Sequence, residues 1–253
     1  MISRIVTALL LLFVITNLYA QRPSADTLNQ GKDQLIIQPI LHGTLMLKYK
    51  KQTILIDPYG GEAALGDLES PTLILITDTH GDHLNEKSLS SIETAQARIV
   101  APQAVKDEIP EQFKKQTEVM ANGEKMKVNG ILFEAIPMYN LPESADSRHV
   151  KGRGNGYVLN LGKFRVYISG DTADITEMRQ LKNIDLAFVC MNLPYTMDIH
   201  QAASAVLDFK PRIVYPFHYR GKPGMSDTQA FKDLVTDQNP NIEVRLRNWY
   251  PQY

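Results

Sequence analysis

The sequence predicts one mixed α/β domain whose sheet is covered by helices on its outer faces, and three observations point there. The first half of the chain is a series of short β-branched runs, and the second half alternates such runs with helical stretches. No linker, low-complexity tract or strong tandem repeat divides the two halves. A chain of 253 residues, 43% hydrophobic and 22% charged, is long enough to bury a sizeable core.

Residues 1–20 stand apart and are expected to be a secretory signal. Met1-Ile2-Ser3-Arg4 is a short basic start, Ile5 to Ile15 is an apolar run broken only by Thr7, and Leu18-Tyr19-Ala20 offers a cleavage point before Gln21. The apolar run is too short for a comfortable membrane span, although an uncleaved N-terminal anchor is the alternative. The expectation is an exported protein, periplasmic or secreted, with no stable membrane insertion once the signal is removed. A single cysteine, Cys190, excludes an internal disulfide framework and a cysteine-based zinc cage; inside an apolar strand it reads as a small buried hydrophobe.

Residues 21–34 are polar and read as a loose leader, so the domain is expected over 35–253. Strands are predicted at Leu35–Ile40, Thr44–Tyr49 and Thr53–Ile56, the last stopped by the turn residues Asp57-Pro58-Tyr59-Gly60-Gly61. Thr72–Thr77 is almost continuously apolar, as a strand buried on both faces must be. A helix at Asn85–Ala97, a strand at Arg98–Ala101 and a helix over Gln103–Lys115 follow, then strands at Glu118–Ala121, Lys125–Val128 and Ile131–Met138. A long irregular loop runs from Tyr139 to Asn155, before a hairpin of Gly156–Leu161 and Phe164–Ser169 around Gly162-Lys163. The remainder alternates: helix Ile175–Leu181, strand Leu186–Met191, helix His200–Phe209, strand Ile213–Phe217, helix Thr228–Thr236, strand Glu243–Arg247.

Twenty-seven basic against 28 acidic side chains leave a net charge of -1, which argues against a nucleic-acid partner bound through a broad basic face. The chemistry is concentrated elsewhere. Directly after the buried strand comes Thr77-Asp78-Thr79-His80-Gly81-Asp82-His83, four metal-ligand side chains within six residues. In an extended loop, residues two apart project to the same side, so Asp78 and His80 can share one ion while Asp82 and His83 turn toward a second. Gly81 relieves crowding in that turn. His149, Asp171 and His218 also lie beyond the ends of predicted strands. Taken singly, each has a plain structural account: a loop histidine, a helix-capping aspartate and a strand-end histidine.

The pattern of a strand followed by (Asp/His)-x-His-x-Asp-His, a later loop histidine, Ser169-Gly170-Asp171-Thr172 and Pro216-Phe217-His218 resembles the metallo-β-lactamase superfamily. The resemblance covers the mature chain from Leu41-His42-Gly43 onward. Gly152–Leu159 and Tyr167–Thr172 look most like the branch that contains ascorbate-phosphate lactonase and related metal-dependent hydrolases. It implies a four-layer αββα sandwich with two divalent ions, Zn²⁺ first and Mn²⁺ or Fe²⁺ as alternatives, at the rim between the sheets. Carried over by position, Asp78, His80 and His149 hold the first ion, Asp82, His83 and His218 the second, and Asp171 bridges. Asp82 also carries the catalytic assignment, as acceptor of a proton from the attacking water; pure ligation is its other role.

One departure stands out: Asp78 occupies a position usually held by His. Two ions contribute +4 and Asp78, Asp82 and Asp171 -3, so a bridging hydroxide brings the cluster to neutral, where the histidine version stays at +1. Asp78 is therefore expected to harden the first site toward Mn²⁺, Fe²⁺ or Mg²⁺ as well as Zn²⁺. It should also make the bound water less acidic.

Other residues support the site less directly. Asp57 either orients a metal-binding histidine or forms a turn; His42 either lines the mouth or ends a strand. Tyr195 and Tyr219 either donate to a substrate oxygen or pack, and His200 is expected in solvent. Arg148, Lys151 and Arg153, with Arg220 and Lys222, either recognise an anion or form a solvated surface.

These residues suit a hydrolase acting on a small-molecule lactone, ester, phosphodiester or amide. A phosphodiesterase related to the N-acylphosphatidylethanolamine phospholipases, and a non-catalytic metal-binding or sensing protein, are the alternatives; no apolar stripe follows Gln21 to favour a lipid substrate. The length leaves no room for the inserted domain of nucleic-acid-processing members. The motif lacks the glutamate of flavin-dependent di-iron members. Ser147-Arg148-His149-Val150 stands where thiolesterase-type members carry Gly-His-Thr-x-Gly.

Overall fold

A computed structural model describes residues 22–252, so the expected signal segment lies outside the described residues. Two seven-stranded sheets are each laid down in chain order. The first runs β1 (Asp26–Gln30), β2 (Asp33–Leu41), β3 (Thr44–Tyr49), β4 (Gln52–Ile56), β5 (Leu73–Leu75), β6 (Arg98–Ala101) and β7 (Thr117–Val119). The second runs β8 (Lys125–Val128), β9 (Ile131–Met138), β10 (Gly154–Leu161), β11 (Phe164–Ile168), β12 (Leu186–Cys190) and β13 (Ile213–Phe217). It ends on β16 (Glu243–Val244), after a small ribbon of β14 (Arg220–Gly221) and β15 (Gly224–Met225). In each sheet the first four strands pair antiparallel and the later ones parallel. The two halves therefore repeat one topology.

Alternation along the strands explains the layers. On the first sheet Leu45, Leu47, Ile54, Ile56, Leu73 and Leu75 join Phe133, Tyr157 and Leu159 of the second in one core. Met46, Leu55, Ile74, Ile76 and Ile99 face outward onto α1 (Gly61–Leu65), α2 (Glu86–Ser90), α3 (Gln103–Glu108) and α4 (Glu111–Lys114), through Leu65, Leu89, Val105 and Phe113. The outer face of the second sheet is covered by α5 (Thr176–Arg179), α6 (Ile199–Phe209) and α7 (Thr228–Gln238), through Met178, Val206, Phe209, Phe231 and Val235. The result is the expected αββα sandwich.

Several elements differ from expectation. The polar stretch expected as a loose leader contains β1, paired from Asp26↔Ile37 to Gln30↔Asp33. It is anchored by Leu28, by the ion pair of Asp26 with Arg247 and by a hydrogen bond that Tyr215 Oη donates to Asp26, a form of anchoring that apolar patterning does not reveal. The helix expected over Asn85–Ala97 is only α2: Asn85 caps it by accepting from the Ser88 N–H, and a run of serines lets it end at Ser91. Pro110 divides the next expected helix into α3 and α4. The expected final strand shrinks to β16.

Candidate metal centre

Strand ends bring the predicted ligands together. The loop after β5 supplies Asp78, His80, Asp82 and His83; the segment before β10 supplies His149; the turns after β11 and β13 supply Asp171 and His218. Two backbone bonds clamp the sheets here, from Asn155 N–H to the Thr77 carbonyl (2.9 Å) and from His218 N–H to the His42 carbonyl (3.2 Å). Close approach fixes two glycines. A Cβ on Gly154 would lie 2.9 Å from the Thr77 oxygen, and one on Gly43 would lie 2.8 Å from His218 Cδ2. His42 (φ 58°), Asp57 (φ 44°) and His218 (φ 47°) all adopt left-handed backbone at the ends of strands. Such conformations cost about 1–3 kcal/mol each and persist where surrounding contacts enforce them.

Three groups of ligand atoms form: Asp78, His80 and His149; His83, Asp171 and His218; and His42, Asp82 and His218. Asp171 lies between the first two. Its Oδ2 is 3.3 Å from His149 Nε2 and 3.5 Å from His83 Nε2, and its Oδ1 is 3.4 Å from His218 Nε2. Asp82 Oδ2 is 3.4 Å from His218 Nε2. His80 Nδ1, His83 Nε2, His149 Nε2, His218 Nε2 and Asp171 Oδ1 are buried and make no well-directed hydrogen bond, although each nitrogen lies close to a carboxylate oxygen, His80 Nδ1 only 2.6 Å from Asp78 Oδ2. Buried polar atoms are ordinarily satisfied in good geometry. Five ligand-type atoms that converge face to face without aligned hydrogen bonds fit cations. The cluster opens to solvent at His80 and Asp82, whose side chains are 23% and 30% exposed.

The neighbouring side chains orient the ligands. Asp57 Oδ2 lies 2.9 Å from His83 Nδ1 and accepts from Thr77 Oγ1, while Asp57 Oδ1 accepts from the Thr77 N–H. This turns His83 Nε2 into the cluster, so of the two roles open to Asp57 the geometry favours orientation. Asn140 Oδ1 accepts from the His149 backbone N–H at 2.8 Å and sits 3.2 Å from its Nδ1. Arg153 grips Asp78 with both arms, Nε to Oδ1 and Nη2 to Oδ2, each at 3.1 Å. His42 Nε2 lies 3.1 Å from Asp82 Oδ2, and its Nδ1 lies 2.7 Å from Tyr250 Oη. A carboxylate only accepts, so His42 carries its proton on Nε2 and Tyr250 donates to Nδ1.

Electrostatics follow from burial and pairing. Burial works against Asp78 ionising, but His80, His83 and Arg153 outweigh it and bring the group down to about 2. Asp82 and Asp171 are likewise held well below the usual range: burial is overcome by His218 and His42 at Asp82, and by His218 and His83 at Asp171. His83 is raised against its burial by the neighbouring carboxylates Asp57 and Asp171. His42 falls to about 4 through burial and the neighbouring His218.

Not every candidate joins the cluster. The Tyr195 ring packs under Arg148, 4.5 Å away, and its carbonyl accepts from Asn140. Tyr219 Oη donates to the Arg247 carbonyl. Lys151 pairs with Glu143 and Glu177. His200 is exposed on α6, and Cys190 is buried with its thiol pushed up to about 11. A surface concavity of about 690 Å³ along β9 and α5 contains none of the cluster residues, and its Glu134 and Arg165 pair with each other. Sequence analysis missed Asn140, Thr77 and Tyr250, of which only Thr77, inside the motif, carried a local signal.

The profile of the family described as the beta-lactamase superfamily domain matches residues 37–218, from β2 to the last of these histidines. The chain belongs to the metallo-β-lactamase superfamily. It is 31% identical over 207 residues to the UPF0173 metal-dependent hydrolase of Pyrococcus abyssi, covering 78% of this chain and 90% of that one. The UPF0173 metal-dependent hydrolase of Thermococcus onnurineus is 34% identical over 194 residues, 73% of this chain and 85% of its own. The crystal structure of a Parabacteroides distasonis protein assigned to the metal-dependent hydrolases superposes with TM-score 0.79 at 35% identity, over 89% of this chain and 98% of that one. As a member of this superfamily with such relatives, the chain is a metal-dependent hydrolase.

Proposed function

We propose that this hydrolase is exported, holds two divalent ions, and directs water at a small-molecule ester, lactone, phosphodiester or amide. The observation that carries the two-ion reading is the set of five buried ligand atoms that converge without well-directed hydrogen bonds, with Asp171 lying between two groups. Asp78, His80 and His149 would hold the first ion, Asp82, His83 and His218 the second, with Asp171 shared. Zn²⁺ suits the imidazole-rich set, with Mn²⁺ or Fe²⁺ favoured by its three carboxylates. The chemistry such a pair supplies when bound is an acidified water and polarisation of a carbonyl or phosphoryl oxygen.

The chain's own groups do the rest. Asp57 and Asn140 orient His83 and His149, and His42 fixes the direction of Asp82. Asp82 is the most exposed of the ligand carboxylates, so it is the group placed to accept a proton from an entering water. Export rests on the layout of residues 1–20.

Purified protein assayed against bis-p-nitrophenyl phosphate and a panel of lactones, beside His80→Ala and with metal content measured on both, tests the activity. Near two ions per chain and a rate lost in the variant are expected; equal rates in both proteins would sink the catalytic reading. N-terminal sequencing of the exported protein should begin at Gln21.

A further inference from the structure

Ten arginines fall among the described residues, and eight of them have a carboxylate within 4.0 Å. The two without one are Arg148 and Arg220. Each is held on a tyrosine ring, Arg148 over Tyr195 and Arg220 over Tyr250, both at 4.5 Å. Stacking also holds Lys50 and Lys151, but those two cations are neutralised by Asp33 and by Glu143 and Glu177.

The backbones of Arg148 and Arg220 are tied to the cluster. Arg148 precedes His149, and its carbonyl accepts from Arg153, which grips Asp78. The Arg220 N–H donates to Tyr250 Oη, which in turn meets His42. A stacked arginine loses little further freedom on binding an anion, and its fork matches carboxylate or phosphate oxygens.

The same loops expose apolar side chains. Of four large hydrophobic side chains exposed among the described residues, three sit here: Leu141 (49%), Leu193 (38%) and Met225 (54%). Leu141 follows Asn140, whose side chain meets His149; Met225 pairs across the ribbon with Arg220; and the Leu193 carbonyl accepts from the Lys222 N–H. They are far apart in sequence, so no apolar stripe announces them.

We infer that the substrate is an amphiphilic anion: a small molecule whose carboxylate or phosphate is held by Arg148 and Arg220 while its hydrocarbon part lies on Leu141, Leu193 and Met225. This rests on the hydrolase site proposed above and names the class of molecule it takes. Arg148 and Arg220 are both exposed, so their guanidiniums are free to take an anion from solvent.

Calorimetry on metal-loaded protein tests it, with octanoate and octyl phosphate as the two headgroup arms, octanol as the neutral control and acetate and methyl phosphate as the short controls. At least one eight-carbon anion should bind about tenfold more tightly than both octanol and its short counterpart. The arm that binds identifies the headgroup. Arg148→Met and Arg220→Met should each lose most of that preference with metal content unchanged, and Arg→Lys at the same positions should lose less. Octanol binding as well as the anions, or both Met variants retaining wild-type affinity, overturns the inference while leaving the hydrolase reading intact. A wild-type protein that takes up no metal brings down both.

Discussion

Asp78 and Arg153 revise the charge count made from the motif alone. The extra carboxylate is fully buried and both of its oxygens are taken by one guanidinium, so the cation it adds locally cancels the charge it brings. Arg153 thus supplies Asp78 with a permanent positive charge. Replacing it by Met should destabilise the metal-free protein by up to about 3 kcal/mol, because a buried carboxylate loses its guanidinium partner and keeps only His80. The same change should tighten first-ion binding by about tenfold, since the ion then has no competitor; competition with a chromophoric chelator measures this, and weaker binding would refute it. Asp57→Asn makes a different demand. Losing the acceptor opposite His83 Nδ1 should weaken metal affinity roughly 10–100-fold without unfolding the protein, read by the same titration. The grouping of Asp78, His80, Asp82 and His83 was legible because they are neighbours in sequence. The Asp78–Arg153 and His42–Tyr250 pairs were not, because 75 and 208 residues separate the partners and nothing local marks either.

Among the elements, strands with continuous apolar runs were legible nearly to the residue, since burial on both faces leaves a one-dimensional trace, as in β12 and β13. β1 was not. Its sequence DTLNQ has one apolar residue, and its docking depends on Asp26 meeting Tyr215 at 2.8 Å and Arg247 across the sandwich. Burial opposes ionisation of Asp26, but hydrogen bonds from Arg247 and Tyr215 outweigh it and hold the carboxyl below its ordinary value. The lowered group contributes stability that is present above the unfolded value near 3.9 and is lost as pH falls through the folded value. Asp26→Asn should therefore cost about 1.5–3 kcal/mol at pH 7 and much less at pH 3. Urea unfolding at the two pH values decides it; an equal cost at both would show that β1 is held by its ladder alone.

For the whole molecule, the repeated topology was invisible in sequence because each half kept the alternation of strands and not the identity of side chains. Its consequence is that the candidate ligands come from both halves. Asp78, His80, Asp82 and His83 follow β5 of the first sheet while His149, Asp171 and His218 lie at strand ends of the second, so each of the three groups of ligand atoms draws on both. That seam is held by two backbone bonds between strand ends, Asn155 to Thr77 and His218 to His42, by the Arg153–Asp78 pair and by the Tyr157 Oη bond to the Ile76 carbonyl, while the gathered carboxylates Asp78, Asp82 and Asp171 repel one another. Ligands that bind only the folded state stabilise by mass action, about 4 kcal/mol at a thousandfold excess over the dissociation constant. For a domain of this size that corresponds to a melting shift on the order of 10 °C. Chelation should lower the transition by that amount, and stoichiometric metal should restore it. If the proposed ions join one half to the other, His149→Ala and His218→Ala should each remove part of the metal-induced shift even though both lie in the second half. A full shift in both variants would mean that the ions are held by the Asp78–His83 loop alone and join nothing.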